Sequence, residues 1–129
     1  MNDLTLERIA RVAHAANRAY CETLGYFSQV SWDSAKEWQK QSAIAGVKEI
    51  LLNPDIGPRE HHQKWVDYKK QEGWIFGPIK DEKKKQHPCM VPYDLLPFEQ
   101  KMKDYIFGYV VKAFVDGCLK EGNTEKAGE

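Results

Sequence analysis

The stretch from Asp3 to Gly25, DLTLERIARVAHAANRAYCETLG, decides the fold class. Its apolar side chains recur at spacings of three and four, which places them on one face of a helix. Asp3 suits an N-cap, and Gly25 suits the left-handed residue that often ends a helix. We therefore predict a helix from Asp3 to about Leu24, whose apolar face comprises Leu6, Ile9, Ala13, Ala16, Tyr20 and Leu24.

Two further helices follow along the chain. Ser34 and Glu37 stand three residues apart, which is a capping-box pattern and predicts the start of a second helix. That helix should end before Pro54, because proline keeps the preceding residue out of the α region. A third helix should begin at Pro58, which suits the first helical position, and stop at Gly73.

The rest of the chain predicts a short sheet and a last helix. Trp74–Pro78 and Cys89–Tyr93 are short, apolar and bounded by glycine or proline, which is typical of extended segments. The polar stretch Lys80–His87 between them would form the long tip of a β-hairpin. The last helix should begin near Pro97 and end near Lys120, because its apolar residues keep a 3.6-residue period.

These elements predict a mainly α fold: one four-helix domain with a short two-stranded β-hairpin. The chain has 129 residues, of which 42% are hydrophobic, and this is enough to bury a core in a single domain. We place that domain at residues 1–121, with its most distinctive part at 58–105. Residues 122–129 are small and charged, and we expect a flexible C-terminal tail there.

Charge and cysteine content narrow the functional class. Lys and Arg number 19 and Asp and Glu also number 19, so the net charge of zero argues against a dedicated binder of nucleic acid or anionic membranes. No apolar run approaches the length of a transmembrane helix, so we expect no membrane association. The three cysteines, Cys21, Cys89 and Cys118, do not form a disulfide framework, which predicts a reduced, cytoplasmic protein.

Uncommon residues follow one another in a fixed order between His62 and Glu99. They are His62-x-x-Trp65, Gly73-Trp74-x-Phe76-Gly77-Pro78, Asp81, Lys85-x-His87-Pro88-Cys89-Met90-Val91-Pro92-Tyr93, Leu96 and Glu99. This pattern resembles the RyR domain, the repeat of the ryanodine receptors. The segments Ile9–His14 and Asn17–Tyr20 resemble an N-terminal extension of bacterial and phage members. The resemblance implies a small, stand-alone RyR-domain protein of that type.

The same pattern suggests a ligand-binding site. Two flat rings can clamp a planar heterocycle by stacking, a lysine can meet phosphate oxygens, and histidine and aspartate can add hydrogen bonds. The resemblance implies an adenine-type nucleotide as the ligand. The predicted walls of the pocket are Trp65 and Trp74, and the predicted ligand-binding residues are Trp65, Trp74, His62, Tyr93, Asp81, Lys85 and His87.

Two functions remain open at this stage. One is a non-enzymatic module that binds or senses a nucleotide. The alternative is a structural or protein-interaction domain, possible partners being another protein or a second copy of the chain, in which the aromatic residues are core. No nucleophile–base pair, metal-ligand spacing or phosphate-binding loop is present in the sequence, so we expect no enzyme activity, no metal and no cofactor.

Overall fold

A computed structural model describes the backbone of residues 2–127 and the side chains of residues 2–114. Four helices carry the fold: α1 (Asp3–Thr23), α2 (Glu37–Leu52), α3 (Pro58–Gln71) and α4 (Phe98–Ala127). Two strands of two residues, β1 (Ile75–Phe76) and β2 (Gln86–His87), lie between α3 and α4. The predicted fold class, mainly α with four helices and a small two-stranded sheet, is confirmed.

The helix ends agree in part with the sequence signals. Gly25 has a φ of +88° and Gly73 a φ of +91°, so both adopt the left-handed conformation predicted for them. The N-cap of α1 is Asn2 rather than Asp3, because the Asn2 side chain accepts a hydrogen bond from the Thr5 amide at 2.9 Å. The prediction that Asp3 caps this helix is therefore wrong by one residue.

The start of α2 also differs from the prediction. Ser34 closes a single 3-10 turn, Trp32–Ser34, and α2 begins later, after Lys36, which makes no side-chain capping bond. The helix starts late because Trp32 and Ala35 are buried, and the backbone of Ala35 and Lys36 between them and α2 is extended. The predicted capping box does not form.

The last helix is longer than predicted. It begins at Phe98, next to the predicted Pro97, but its backbone continues past Lys120 to Ala127. The side chains of the predicted tail, residues 122–129, and that of Cys118 lie outside the described residues.

The main core lies between α1, α2 and α4. The α4 helix packs against the other three helices, most extensively against α1. One polar contact joins the two, where the Asn17 amide donates to the Lys103 carbonyl at 3.2 Å. The buried members of this core are Leu6, Ile9, Ala10, Trp32, Val47, Ile50, Ile56 and Val111.

The two strands pair in parallel, so the predicted antiparallel hairpin is wrong. Ile75 pairs with Gln86 in the parallel sense, while Gln86 also forms an antiparallel bridge with Asp81. The chain therefore reverses direction twice between β1 and β2, once before Asp81 and once over residues 82–85. The second strand is β2 and not Cys89–Tyr93, which is irregular and leads into a 3-10 turn at Tyr93–Leu95.

A glycine permits the close approach of these segments. A β-carbon at Gly77 would lie only 2.5 Å from the β-carbon of Gln86, so no larger residue fits without moving the backbone. Among the described residues, no helix has both the length and the apolar character to cross a bilayer.

Candidate functional site

A second, smaller core joins α3 to the segment that follows it. Val66, Trp74 and Met90 are buried there, and the half-buried rings of Trp38 and Trp65 pack against them. Trp38 lies in the first turn of α2, and Trp74 immediately precedes β1. Together with His87 and two lysines they form what we call the aromatic-lysine cluster: Trp38, Trp65, Trp74, His87, Lys69 and Lys80.

His87 contacts both of the predicted pocket walls. Its ring centroid lies 5.2 Å from that of Trp65 and 6.2 Å from that of Trp74, edge-on to both. Its Nδ1 accepts a hydrogen bond from the Cys89 amide at 3.0 Å, which fixes the ring. His87 thus makes the ring contacts with both indoles that we predicted for a ligand. Trp74 itself is only 4% exposed.

Burial and neighbouring lysines keep His87 neutral. Desolvation lowers the pKa of His87 to about 4, and the ammonium groups of Lys80 and Lys69 add to this effect. Since Nδ1 is the acceptor for Cys89, the proton of the neutral ring is on Nε2. Burial also raises the pKa of the Cys89 thiol to about 11, so this cysteine is not a thiolate nucleophile.

His62 is a buried link between three segments. It is 3% exposed, and its Nε2 donates to the Val91 carbonyl at 2.8 Å. Its Nδ1 lies 3.7 Å from Oδ2 of Asp104 on α4, and its ring stacks on Trp65 at 5.6 Å. Burial raises the pKa of the Asp104 carboxyl group.

Tyr93 contacts His62 and two cationic side chains. The Arg59 guanidinium is 5.3 Å from its ring centroid and the Lys101 ammonium is 5.4 Å from it. Arg59 also pairs with Asp94 at 2.7 Å. The Tyr93 and His62 ring centroids are 6.1 Å apart, whereas among the described residues Tyr93 makes no ring contact with Trp74.

Asp81 and Lys85 stabilise local turns. The Asp81 carboxylate accepts from the Lys84 amide at 3.1 Å, within the turn that leads to β2. Lys85 adopts a left-handed conformation with a φ of 54°, and its ammonium donates to the Glu72 carbonyl at the end of α3, at 2.6 Å. The lysine predicted to meet a phosphate therefore caps a helix C-terminus instead.

Two other lysines converge on one ring. The Lys69 ammonium lies 4.7 Å from the Trp38 centroid and 5.1 Å from that of Trp74, and the Lys80 ammonium lies 4.8 Å from the Trp38 centroid. Neither ammonium makes an ion pair or hydrogen bond with the described residues. Burial, and secondarily Lys80, lower the pKa of Lys69 to about 8. Partial desolvation also lowers the pKa of Lys80, and the charge of Lys103 adds to this effect.

The comparison with protein families matches this region of the chain. A model of the RyR domain family matches residues 57–110, which span α3, both strands and the first part of α4. The chain contains an RyR domain. The predicted resemblance is thereby confirmed, while a bacterial or phage origin stays a prediction.

The RyR domain supplies most of the aromatic-lysine cluster, and the preceding segment completes it. Trp65, Lys69, Trp74, Lys80 and His87 lie inside the matched range, whereas Trp38 lies in α2, outside it. The sequence prediction missed Lys69 although a signal was present. Lys69 is four residues after Trp65 and seven after His62, and so shares their face of α3.

Glu82 lies at the edge of the cluster in the RyR domain. Its carboxylate pairs with Lys36, and this contact lowers the pKa of Glu82. The neighbouring Trp38 indole and the Lys80 ammonium add to this effect. The Trp38 Nε1 group is buried beside Glu82, but it makes no hydrogen bond of good geometry with the described residues. Three donors, on Trp38, Lys69 and Lys80, thus lie together, and Glu82 is the acid that faces them.

Within the described range, no three His, Cys, Asp or Glu side chains are grouped as metal ligands.

Proposed function

We propose that this RyR domain is a non-enzymatic ligand-binding module whose ligand is a planar anion, such as an adenine-type nucleotide. The observation that carries the proposal is the convergence of Lys69 and Lys80 on Trp38, 4.7 and 4.8 Å from its centroid, without an acidic partner in ion-pair range. The two ammonium groups repel each other, and this repulsion contributes to the lowered pKa of Lys69. A phosphate group between them would relieve the repulsion and raise both pKa values.

The planar part of the ligand is supported by the rings. Trp38 and Trp65 are only half-buried, and a base that stacks on an indole ring gains about 1–3 kcal/mol. The choice of adenine rests on the resemblance to receptor repeats. The proposed site therefore keeps Trp65 from the predicted residues and replaces Lys85 by Lys69 and Lys80.

A thermal-shift series separates the two parts of the ligand. ATP, AMP, adenosine and inorganic tripolyphosphate are compared at equal concentration, since a ligand at 100 times its dissociation constant adds about 2.7 kcal/mol of stability. We expect ATP and tripolyphosphate to raise the melting temperature, and ATP to do so more. Lys80→Gln should reduce the ATP shift to about half, as a tenfold loss of affinity implies, while Lys83→Gln, in the same loop but outside the cluster, should retain it.

Two results would contradict the proposal. One is the absence of any shift with millimolar ATP or tripolyphosphate in a folded sample. The other is an equal response of Lys80→Gln and Lys83→Gln. An assay for released phosphate or AMP tests the non-enzymatic part, since we expect no turnover of ATP.

One observation favours a second candidate function, a structural or protein-interaction domain. Trp74 is buried with Val66 and Met90, and His87 contacts both Trp74 and Trp65, as in an ordinary core. Under this alternative the cluster stabilises the fold, and the partner is another protein or a second copy of the chain. Light scattering of the pure protein tests for self-association. A cytoplasmic location, based on the cysteine content, belongs to both candidates.

A further inference from the structure

We propose that a second ligand site lies at the N-terminal end of α3, in a cavity that binds a small molecule with a flat apolar body and a hydrogen-bond-donating head. Its polar wall is formed by His61 on α3 and Asp104 on α4, and Ile50 and Ile56 are part of its apolar wall. We call it the His61 cavity. It shares no lining residue with the aromatic-lysine cluster, so the inference does not rest on the proposed function.

Two buried polar atoms lack a partner at this cavity. Nδ1 of His61 and Oδ2 of Asp104 are both inaccessible to solvent and make no hydrogen bond with the described residues. Unpartnered buried groups are uncommon in folded proteins, because each loses its hydration without compensation. Both atoms belong to residues that line the same cavity.

The two side chains are held in place by their neighbours. The His61 ring stacks on Phe107, with centroids 5.5 Å apart and planes 17° apart. Gly46 lets this pair approach α2, since a β-carbon there would lie 3.3 Å from Phe107. The other oxygen of Asp104 accepts from the Gln100 amide at 3.2 Å. The site is therefore preformed rather than assembled by the ligand.

The charges around the cavity favour a donor head. Burial lowers the pKa of His61 to about 4, so its imidazole is neutral near pH 7. Lys112 also lines the cavity, but its ammonium is engaged by the Ile56 carbonyl at 2.8 Å. Nδ1 of His62 lies 3.7 Å from the unpartnered Asp104 oxygen, beyond hydrogen-bond distance, and this oxygen can only accept a hydrogen bond when it is ionised. A hydroxyl or amine group meets this need.

Space for the rest of the ligand is present at the mouth. The cavity itself has a volume of about 30 Å³, enough for a head group the size of one water molecule. Gly108 lies at its wall in the middle of α4, where a β-carbon would meet nothing within 4 Å. Glycine is less favourable than alanine inside a helix, and no neighbouring group requires it here. The open space above Gly108 can receive the body of a ligand.

Two aromatic rings stand beside that opening. Tyr105 and Tyr109 line the cavity and are 48% and 61% exposed, with their centroids 4.9 Å apart. Exposed rings at the mouth of an apolar cavity are suited to packing against a flat molecule. The ligand class that fits all these features is a phenol or an arylalkylamine.

Titrations monitored by NMR test the site with defined probes. Phenol and benzylamine carry a donor head, and toluene has the same flat body without one. We expect phenol and benzylamine to bind about tenfold more tightly than toluene, because only they satisfy Asp104. Their amide shifts should centre on residues 56–61 and 104–109. Shifts centred on Trp38 and Lys80, equal binding of toluene, or no binding at millimolar concentration would overturn the inference.

A filled cavity supplies the control for folding. Gly108→Leu places a side chain in the open space, so phenol affinity should fall at least about tenfold while the melting temperature does not fall. Lys101→Leu, on the same helix but outside the cavity lining, should bind phenol like the original protein. Unchanged phenol binding by folded Gly108→Leu would show that the probe binds elsewhere and would refute the site.

Discussion

The Lys69 ammonium, in the last turn of α3, lies 4.7 Å from the centroid of Trp38, in the first turn of α2. These two residues are far apart in sequence, and only Lys69 is within the range matched by the RyR family. The contact means that α2 completes the cluster built by the RyR domain. Trp38→Ala should therefore weaken any ligand contact at Lys69 as well as the packing of Trp74, which lies 5.1 Å from Trp38.

Trp74 and Trp65 should differ in their importance for folding. Trp74 is 4% exposed among apolar neighbours, so Trp74→Ala should lower the free energy of unfolding by about 3–5 kcal/mol. Trp65 is only half-buried, and Trp65→Ala should have a smaller effect on stability. Urea unfolding followed by circular dichroism measures both. Equal losses would show that Trp65 is as much a core residue as Trp74.

Two glycines give a matched pair for backbone packing. Gly77→Ala should destabilise the protein by about 1–3 kcal/mol, because the new methyl group would lie 2.5 Å from the Gln86 β-carbon. Gly108→Ala meets nothing within 4 Å and should be neutral, or stabilising by up to about 1 kcal/mol. Thermal unfolding of the two variants checks the order, and a tolerated Gly77→Ala would contradict the tight pairing of β1 with β2.

Acid should destabilise the protein through two histidines. Burial lowers the pKa of His61 and of His87 to about 4, below the ordinary value of 6.5. Between these pH values the unfolded chain takes up protons that the folded chain does not, so stability is full above pH 6.5 and is lost as the pH falls towards 4. The loss is at most about 3 kcal/mol for each histidine, and less where the ring keeps some contact with solvent.

Urea midpoints measured at pH 7.5 and pH 5 test this dependence. His87→Asn removes one of the two groups and should flatten the profile, although it also lowers stability at pH 7.5. A profile of His87→Asn as steep as that of the original protein would exclude His87 as a source of the acid sensitivity.

Glu82 should compete with an anionic ligand. Its carboxylate pairs with Lys36 and faces Trp38 and Lys80, where a phosphate would bind. Glu82→Gln should therefore raise the affinity for ATP about two- to fivefold, the range expected for an exposed ion pair. Glu99→Gln, at the start of α4, is the control. Weaker ATP binding by Glu82→Gln would mean that the carboxylate supports the site instead of occupying it.

Local signals in the sequence predicted much of the helical frame. Pro58 at the start of α3 and the left-handed glycines Gly25 and Gly73 act within a few residues, and each was found where it was predicted. The predicted apolar face of α1 is buried only in its first half, since Leu24 follows the helix and is 41% exposed. The parallel pairing of β1 and β2 was missed because it depends on two chain reversals, and the second is stabilised by Asp81 through its own turn.

The site was harder to predict because its contacts are not local. The spacing on α3 placed His62 and Trp65 on one face, and their rings do stack. Nothing in the sequence indicated that Trp38 would reach Lys69, or that Lys85 would be used to cap α3 through the Glu72 carbonyl. The number of lysines near residues 80–85 was visible, but which ammonium faces the rings depends on the fold of the loop.

Isothermal titration of ATP into the original protein, Lys80→Gln and Lys83→Gln tests the central claim most directly. The account predicts that Lys80→Gln lowers the affinity about tenfold, because a charge-assisted contact is lost, whereas Lys83→Gln stays within about twofold. Raising the salt concentration should weaken binding by the original protein more than by Lys80→Gln. Equal affinities for the two folded variants, or no binding of millimolar ATP by the original protein, would contradict it.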